Sequence, residues 1–199
     1  MATLHEAARR RGLLHGIRLL VGKPFAGPAI TVALPAGDNL GLHLVLEAAK
    51  PGSVVCVGSA GGGAYGVLGD LLFESARTRG VAGLVIGDGI RDLGALRPPP
   101  SLAALSVSAR GTLKSRLRSE VGAGAALGGT FVSTGDWIIC DRDGACVIPN
   151  QELHTVLAAA GTRETKESAI RDRVKSGETT REVLTLPEGA HASLRSSFH

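Results

Sequence analysis

Arg91 and Asp92 stand side by side just past the apolar run Leu84-Val85-Ile86 and the turn-forming stretch Gly87-Asp88-Gly89. An arginine offers a planar fork of N–H donors to a carboxylate or an enolate. An aspartate offers hard oxygens to a divalent metal. The two together suit a small 2-oxo acid, with cation and metal sharing the charge that develops on a keto oxygen. The competing reading is an ion pair that merely closes a turn, and local spacing alone does not choose between them.

A second chemical feature lies upstream. The glycine-rich stretch GSAGGGAYG, residues 58–66, follows one apolar run and precedes a helical pattern. Free backbone N–H groups at a helix start form an anion site, open to a carboxylate as much as to a phosphate. Gly61, Gly63 and Gly66 satisfy G-x-G-x-x-G, and Asp88 follows about 20 residues on, where a ribose-binding acid would stand. A dinucleotide fold needs further βαβ units, and after Arg91 the pattern turns to short alternating runs that read as antiparallel strands. The simpler anion site is therefore retained, beside the plainer possibility that the glycines only make a tight turn.

The remaining reactive side chains say less. Cys56, Cys140 and Cys146 form no C-x-x-C pair, so a structural zinc is not expected, and Cys56 reads as a small buried hydrophobe. His43 falls on the apolar face of a helical segment and reads as a satisfied core residue. His5, His15, His154, His191 and His199 are scattered, and neither H-E-x-x-H nor G-x-S-x-G occurs.

The elements that must position these residues follow from periodicity. Residues 3–21 read as a short basic helical lead-in. Residues 27–34 alternate and are β-branched, which predicts a strand. Residues 37–52 carry helical spacing, a cap at Asp38 or Asn39 and a stop at Pro51-Gly52. Residues 53–58 and 81–87 read as buried strands around a helix over 66–80, giving a parallel βαβ unit with a right-handed crossover. The loops after Gly58 and Gly87 then leave from the same end of the sheet, so the helix start and Arg91-Asp92 face one cavity. Residues 101–110, 124–133 and 134–149 predict antiparallel strands and hairpins, with Asp143-Gly144 as the clearest turn. Pro98-Pro99-Pro100 reads as an extended connector. From Asn150, taken as a helix cap, the pattern is helical and charged to about Gly177.

Composition bounds the rest. The chain has 199 residues, 44% hydrophobic but only 3% aromatic, with 28 glycines and a formal net charge of +4. Such a length fits a single domain, 1–199, with a core over about 20–150 and a helical tail over about 151–185. The mild basic excess lacks interleaved aromatics for base stacking, so no nucleic-acid partner is expected. Without an apolar leader or a membrane-length run, a soluble, cytoplasmic protein with no membrane partner is expected.

Several blocks share an order and spacing with a known family: FAGPAITV, GDNLGLHLVLEAAKPGSVVCV, GDLLFESARTRGVAGLVIGDGIRD, ARGT, GGTFVSTGDWIICDRDGACVIP and KESAIRDRVKSGE. They run from about Phe25 to Gly177. The chain resembles the RraA-like family, which holds class II 4-hydroxy-4-methyl-2-oxoglutarate aldolases and regulators of ribonuclease E activity. The resemblance implies an α/β fold of swivelling-domain type, layered β/β/α, assembled as a homotrimer or hexamer with sites near subunit interfaces. It implies that Gly69, Asp70, Leu71 and Leu72 bind substrate. It further implies that Arg91 binds substrate and stabilises pyruvate enolate, and that Asp92 holds Mg²⁺ or Mn²⁺. Three features depart from the aldolases: Ala95 stands where they keep a carboxylate, Gly58-Ser59-Ala60 stands where an acidic Asp-Gly is common, and the N-terminal helix with its Ser/Thr/Asp segment is largely missing before HGIRLL, residues 15–20. The helical tail is a feature of the aldolase branch.

The expectation is thus a divalent-metal-dependent lyase of aldolase or oxaloacetate decarboxylase type. It would act on a pyruvate-containing 2-oxo acid through a metal-stabilised enolate, with Arg91 and Asp92 as its catalytic residues. The alternative is a non-catalytic regulatory protein like the ribonuclease E regulators.

Overall fold

The computed structural model describes residues 1–115 and 118–186. Its centre is built on strict period-two facing. In the strand Val54–Ser59, Val55 and Val57 enter one hydrophobic core while Val54 and Cys56 enter another. In Gly83–Ile90, Leu84 and Ile86 join the first core and Val85 the second. A strand apolar on both faces must be covered on both, and here helices cover one side and further strands the other.

In chain order, helix α1 is Ala2–Ala7, followed by β1 (Leu13–Leu14), β2 (Arg18–Val21) and the long β3 (Phe25–Leu34). Then come α2 (Leu40–Ala48), β4 (Val54–Ser59), β5 (Gly66–Leu68), α3 (Asp70–Thr78) and β6 (Gly83–Ile90). Next are β7 (Ser101–Val107), β8 (Glu120–Val121), β9 (Ala125–Leu127) and β10 (Thr130–Val132). The chain closes with β11 (Trp137–Asp141), β12 (Gly144–Ile148), α4 (Leu153–Lys175) and α5 (Thr180–Val183).

β3 belongs to two layers at once. Its first residues pair antiparallel with β11, from Phe25↔Cys140 to Pro28↔Trp137. Its later residues pair parallel with β4, from Ala29↔Val54 to Leu34↔Ser59. Strands β3, β4, β6 and β7 form the parallel layer, with α2 and α3 packed on one face through Leu42, Val45, Leu46, Phe73 and Ala76. Strands β1, β12 and β11, with the β9–β10 hairpin, cover the other face through Leu14, Leu127, Val132, Ile138 and Val147. The molecule is therefore mixed α/β, with parallel and antiparallel strands, in helix, sheet and sheet layers. α4 lies outside them and buries Val156 and Ala160, packing with α1 and Ile148. No helix among the described residues is long and apolar enough to cross a membrane.

Several local expectations are corrected. The basic lead-in is helical only over Ala2–Ala7, and the chain then pairs as β1 and β2, because Leu14 and Ile17 are drawn into the interlayer core. β7 pairs parallel with β6, in register Gly83↔Ser101 to Ile86↔Ala104, and antiparallel only with β2. Alternating apolar residues fit either direction, and the connection 91–100 carries the chain from the exit of β6 back to the end at which β6 begins. That connection is not an extended segment: the chain bends at each of residues 98–100. Residues 66–68 form a short strand on β6 rather than helix, and the helix begins at Asp70. Asn150 opens a 3₁₀ turn ahead of α4 rather than capping it. His191 and His199 lie outside the described residues.

Candidate functional site

The end of β6 sets the site. Arg91 is tied to the sheet by its N–H, which donates to Leu68 O at 2.8 Å. Asp92 then adopts φ 57°, ψ 26°, a left-handed conformation that few residues other than glycine take and that aspartate tolerates. This reversal turns the chain into the 3₁₀ turn Leu93–Ala95 and carries the Asp92 carboxylate back over the start of α3. Asp92 Oδ2 accepts a long hydrogen bond from Asp70 N at 3.4 Å. Arg91 Nε lies 3.6 Å from the same oxygen, a loose ion pair beyond hydrogen-bond reach. Both side chains stay open to solvent, 39% and 44% exposed. A surface pair of this kind stabilises a fold little, so stability gives no reason for a strained backbone beneath it.

Gly69 makes the approach possible. A Cβ there would sit 2.6 Å from Asp92 Oδ2 and 2.9 Å from Arg91 Nε. The missing side chain lets the pair lie directly against the α3 N-terminus. The helix start, Arg91 and Asp92 are thus brought together as the parallel geometry implies. The amides are only partly free, however. Asp70 N faces Asp92, and Leu71 N donates to Asp70 Oδ1 at 2.8 Å. Leu72 is buried in the helix-side core, whereas Leu71 is 81% exposed on the rim. A groove of about 440 Å³ opens alongside, bounded by Asp70, Leu71, Glu74, Arg77, Ala95 and Arg97.

Asp88 has a different role from the ribose contact that its spacing suggests. It is fully buried and accepts from Ser59 Oγ at 2.5 Å, Tyr65 N at 3.1 Å and Gly89 N at 2.9 Å. It anchors the glycine loop from beneath, and Ser106 and Ser108 hold the same loop through Gly63 O and Ala64 O. The dinucleotide reading therefore fails on geometry: its acid is spent inside the loop.

Two groupings escaped sequence reasoning. Arg110 Cζ stacks 4.2 Å over the Tyr65 ring, close to the site because Gly66 N donates to Arg110 O at 2.8 Å. The block ARGT marks the arginine, but nothing in the sequence joins it to Tyr65. The second grouping is at the start of α2. Buried Asp38 accepts from Leu40 N at 2.9 Å and from Ser115 N and Oγ, each at 2.6 Å. Burial pushes its carboxyl up, but the bonds from Ser115 and Leu40 and the nearby Lys114 charge hold it below the usual range. His43 is not the satisfied core residue expected: its Nε2 is buried and has no hydrogen-bond partner among the described residues. Burial first, and then Lys114, push its pKa down, against a smaller pull from Glu47. The thiols are inert, with burial pushing Cys140 up to about 12 and Cys146 up to about 11.

A metal is tested against this donor set. No group of three or more His, Cys, Asp or Glu side chains among the described residues is arranged to hold one. A protein-caged transition metal is therefore not what these residues fit. Mg²⁺ and Mn²⁺ ask for less. Such hard ions are held by one or two carboxylates and otherwise by substrate oxygens and water. The exposed Asp92 carboxylate fits that limited role.

Comparison with known proteins sharpens the description. The family described as RraA-like, Aldolase/RraA, matches residues 1–147. A protein of Halalkalibacterium halodurans named "Putative 4-hydroxy-4-methyl-2-oxoglutarate aldolase" is 31% identical over 156 residues, covering 74% of this chain and 72% of that one. Streptomyces coelicolor RraAS2, described as an unusual member of the RNase ES inhibitor RraA protein family, superposes with a TM-score of 0.74 at 30% identity, over 86% of this chain and 90% of that one. An uncharacterized protein of Pseudomonas syringae pv. tomato superposes with a TM-score of 0.77 at 25% identity, over 92% and 88%. The family match over most of the chain, together with these relatives, shows that the chain belongs to the RraA-like family.

Proposed function

We propose that this protein is a lyase that cleaves a pyruvate-containing 2-oxo acid at the Arg91-Asp92 site, by aldol cleavage or by decarboxylation of an oxaloacetate-like acid. The observation that carries the reading is the exposed pair itself. A residue in a costly backbone conformation holds a carboxylate and an adjacent guanidinium against a helix N-terminus, through a gap that only glycine leaves. The aldolase name of the Halalkalibacterium relative supports the same reaction class.

The chemistry asked of the chain is modest. The guanidinium of Arg91 binds the substrate carboxylate or keto oxygen, and its fixed charge favours the enolate over the neutral ketone. Leu72 N, in the first turn of α3, adds a backbone donor. On aldol cleavage the C3–C4 bond breaks, its electron pair enters the enolate, and the C4 hydroxyl gives up its proton. Asp70, the exposed carboxylate beside the pair, is placed to pass that proton to solvent. Asp92 would hold a Mg²⁺ or Mn²⁺ ion, which when bound supplies Lewis-acid charge at the keto oxygen. The enolate then takes up a proton at C3 from solvent and leaves as pyruvate, and the exposed Leu71 on the rim suits a site bordered by a neighbouring subunit of a trimer or hexamer.

A second reading, a regulator without catalysis, is favoured by Ala95. It lines the groove with a methyl group where the aldolases keep a carboxylate. Calorimetric titration of Mn²⁺, with and without pyruvate, separates the two. The lyase reading expects binding that pyruvate strengthens and that Asp92→Asn removes. No binding under either condition favours the regulator.

A further inference from the structure

We infer that Arg110 is a second anion-recognition group of this site and that it selects 2-oxo acids carrying a second carboxylate. The inference rests on the proposal that Arg91 and Asp92 receive a 2-oxo acid, and it assigns a residue to the second carboxylate of such an acid.

The Tyr65 ring is seated in space that two glycines leave clear. A Cβ on Gly37 would lie 2.9 Å from Tyr65 Cε1, and one on Gly61 would lie 2.9 Å from Cδ2. The Tyr65 backbone is fixed from below by Asp88. Arg110 lies on this ring, and its own backbone is pinned on both sides: its N–H donates to Ser108 Oγ at 3.2 Å and its carbonyl accepts from Gly66 N at 2.8 Å. A guanidinium stacked this way uses its face on the aromatic ring and keeps its edge donors for an in-plane acceptor. Among the described residues, no carboxylate takes those donors.

The position is as informative as the posture. The residue after Arg110, Gly111, would place a Cβ 4.0 Å from Arg91 Nη1. The two arginines thus stand on one rim. Asp92 partly offsets the charge of Arg91 at 3.6 Å, whereas among the described residues no carboxylate pairs with Arg110. Two guanidinium forks, one beside the metal-binding carboxylate and one held flat on a tyrosine, match a ligand with a carboxylate at each end. An oxo acid with one carboxylate would satisfy only Arg91. A purely structural arginine would be expected to reach a carbonyl or carboxylate of the fold. This one is held where it can meet a solute.

The test is calorimetric binding to the intact protein of two acids of equal chain length, 2-oxoglutarate and 2-oxopentanoate. The wild type should bind 2-oxoglutarate more tightly. Arg110→Ala should lose on the order of tenfold or more for 2-oxoglutarate, the loss of one charge-assisted contact, with 2-oxopentanoate unchanged within about twofold. Arg110→Lys should recover part of the preference, and Arg91→Ala should weaken both acids. Equal loss for both acids in Arg110→Ala, no loss for either, or a wild type that binds neither acid or fails to prefer 2-oxoglutarate would each overturn the inference. Pyruvate release is scored separately. A chain that discriminates the two acids but releases no pyruvate keeps the role of Arg110 and loses the lyase.

Discussion

Replacing Gly69 by alanine would press a methyl group to 2.6 Å from Asp92 Oδ2 and 2.9 Å from Arg91 Nε. The backbone there has φ −126°, which any residue adopts, so the substitution costs no conformational strain. Its effect should fall on the site and not on the fold. Gly69→Ala is expected to lower kcat/KM for pyruvate release by at least tenfold, with a thermal midpoint within about 3 °C of wild type, the range of a surface change. A large loss of stability with normal activity in the surviving protein would contradict the placement of the pair. At this scale the sequence was partly legible. Arg91 and Asp92 could be singled out because a parallel strand aims its exit at a ligand. Asp88 could not be assigned correctly, because its partners Ser59 and Tyr65 belong to a loop whose path no local pattern specifies. Arg110 was hidden for the same reason, its ring being contributed by that loop.

At the scale of elements, the start of α2 holds two groups shifted from their ordinary values, Asp38 and His43. His43 has its pKa pushed below the ordinary value, by burial first and then by Lys114, with Glu47 opposing. The sign follows directly. As pH falls below about 6.5, the unfolded chain takes up a proton that folded His43 resists, so stability present above that pH is lost on acidification. Asp38 acts lower. Its depressed folded pKa stabilises the protein above the ordinary carboxylate range, and that contribution is lost as pH falls through the folded value. Thermal midpoints should therefore decline from pH 7 to pH 5 and again below about pH 4. His43→Leu should flatten only the first decline, and a first decline unchanged in that variant would remove His43 as its cause. Element boundaries show where local pattern runs out. β4 and β6 were readable because strands buried on both faces are continuously apolar. The direction of β7 was not, since Leu102 and Ala104 alternate with Ala103 whichever way the neighbour runs. Residues 66–68 read as helix because Leu68 falls in step with Leu71 and Leu72, but Gly66 and Val67 are poor helix formers and the segment pairs with β6 instead.

At the scale of the molecule, layering explains why the site lies where it does. The parallel layer places the exits of β4 and β6 at one end, and α3 starts at that same end. The opposite face is closed by the antiparallel layer, and the thiols buried there, Cys56 and Cys140, are inert. The mixed α/β character and the two kinds of pairing could be anticipated from apolar runs and hairpin turns. The sharing of β3 between layers could not, because it depends on a change of partner between Pro28 and Ala29 inside one unbroken strand. The most direct measurement is the initial rate of pyruvate release from 4-hydroxy-4-methyl-2-oxoglutarate and from oxaloacetate, in the presence of Mg²⁺ or Mn²⁺, for the wild type and for Arg91→Ala. Release by the wild type from at least one acid, reduced about a hundredfold or more in the variant as for loss of a charge-stabilising donor, is the expected result. Equal rates in the two proteins, or no release by the wild type from either acid, would contradict a lyase site at Arg91-Asp92.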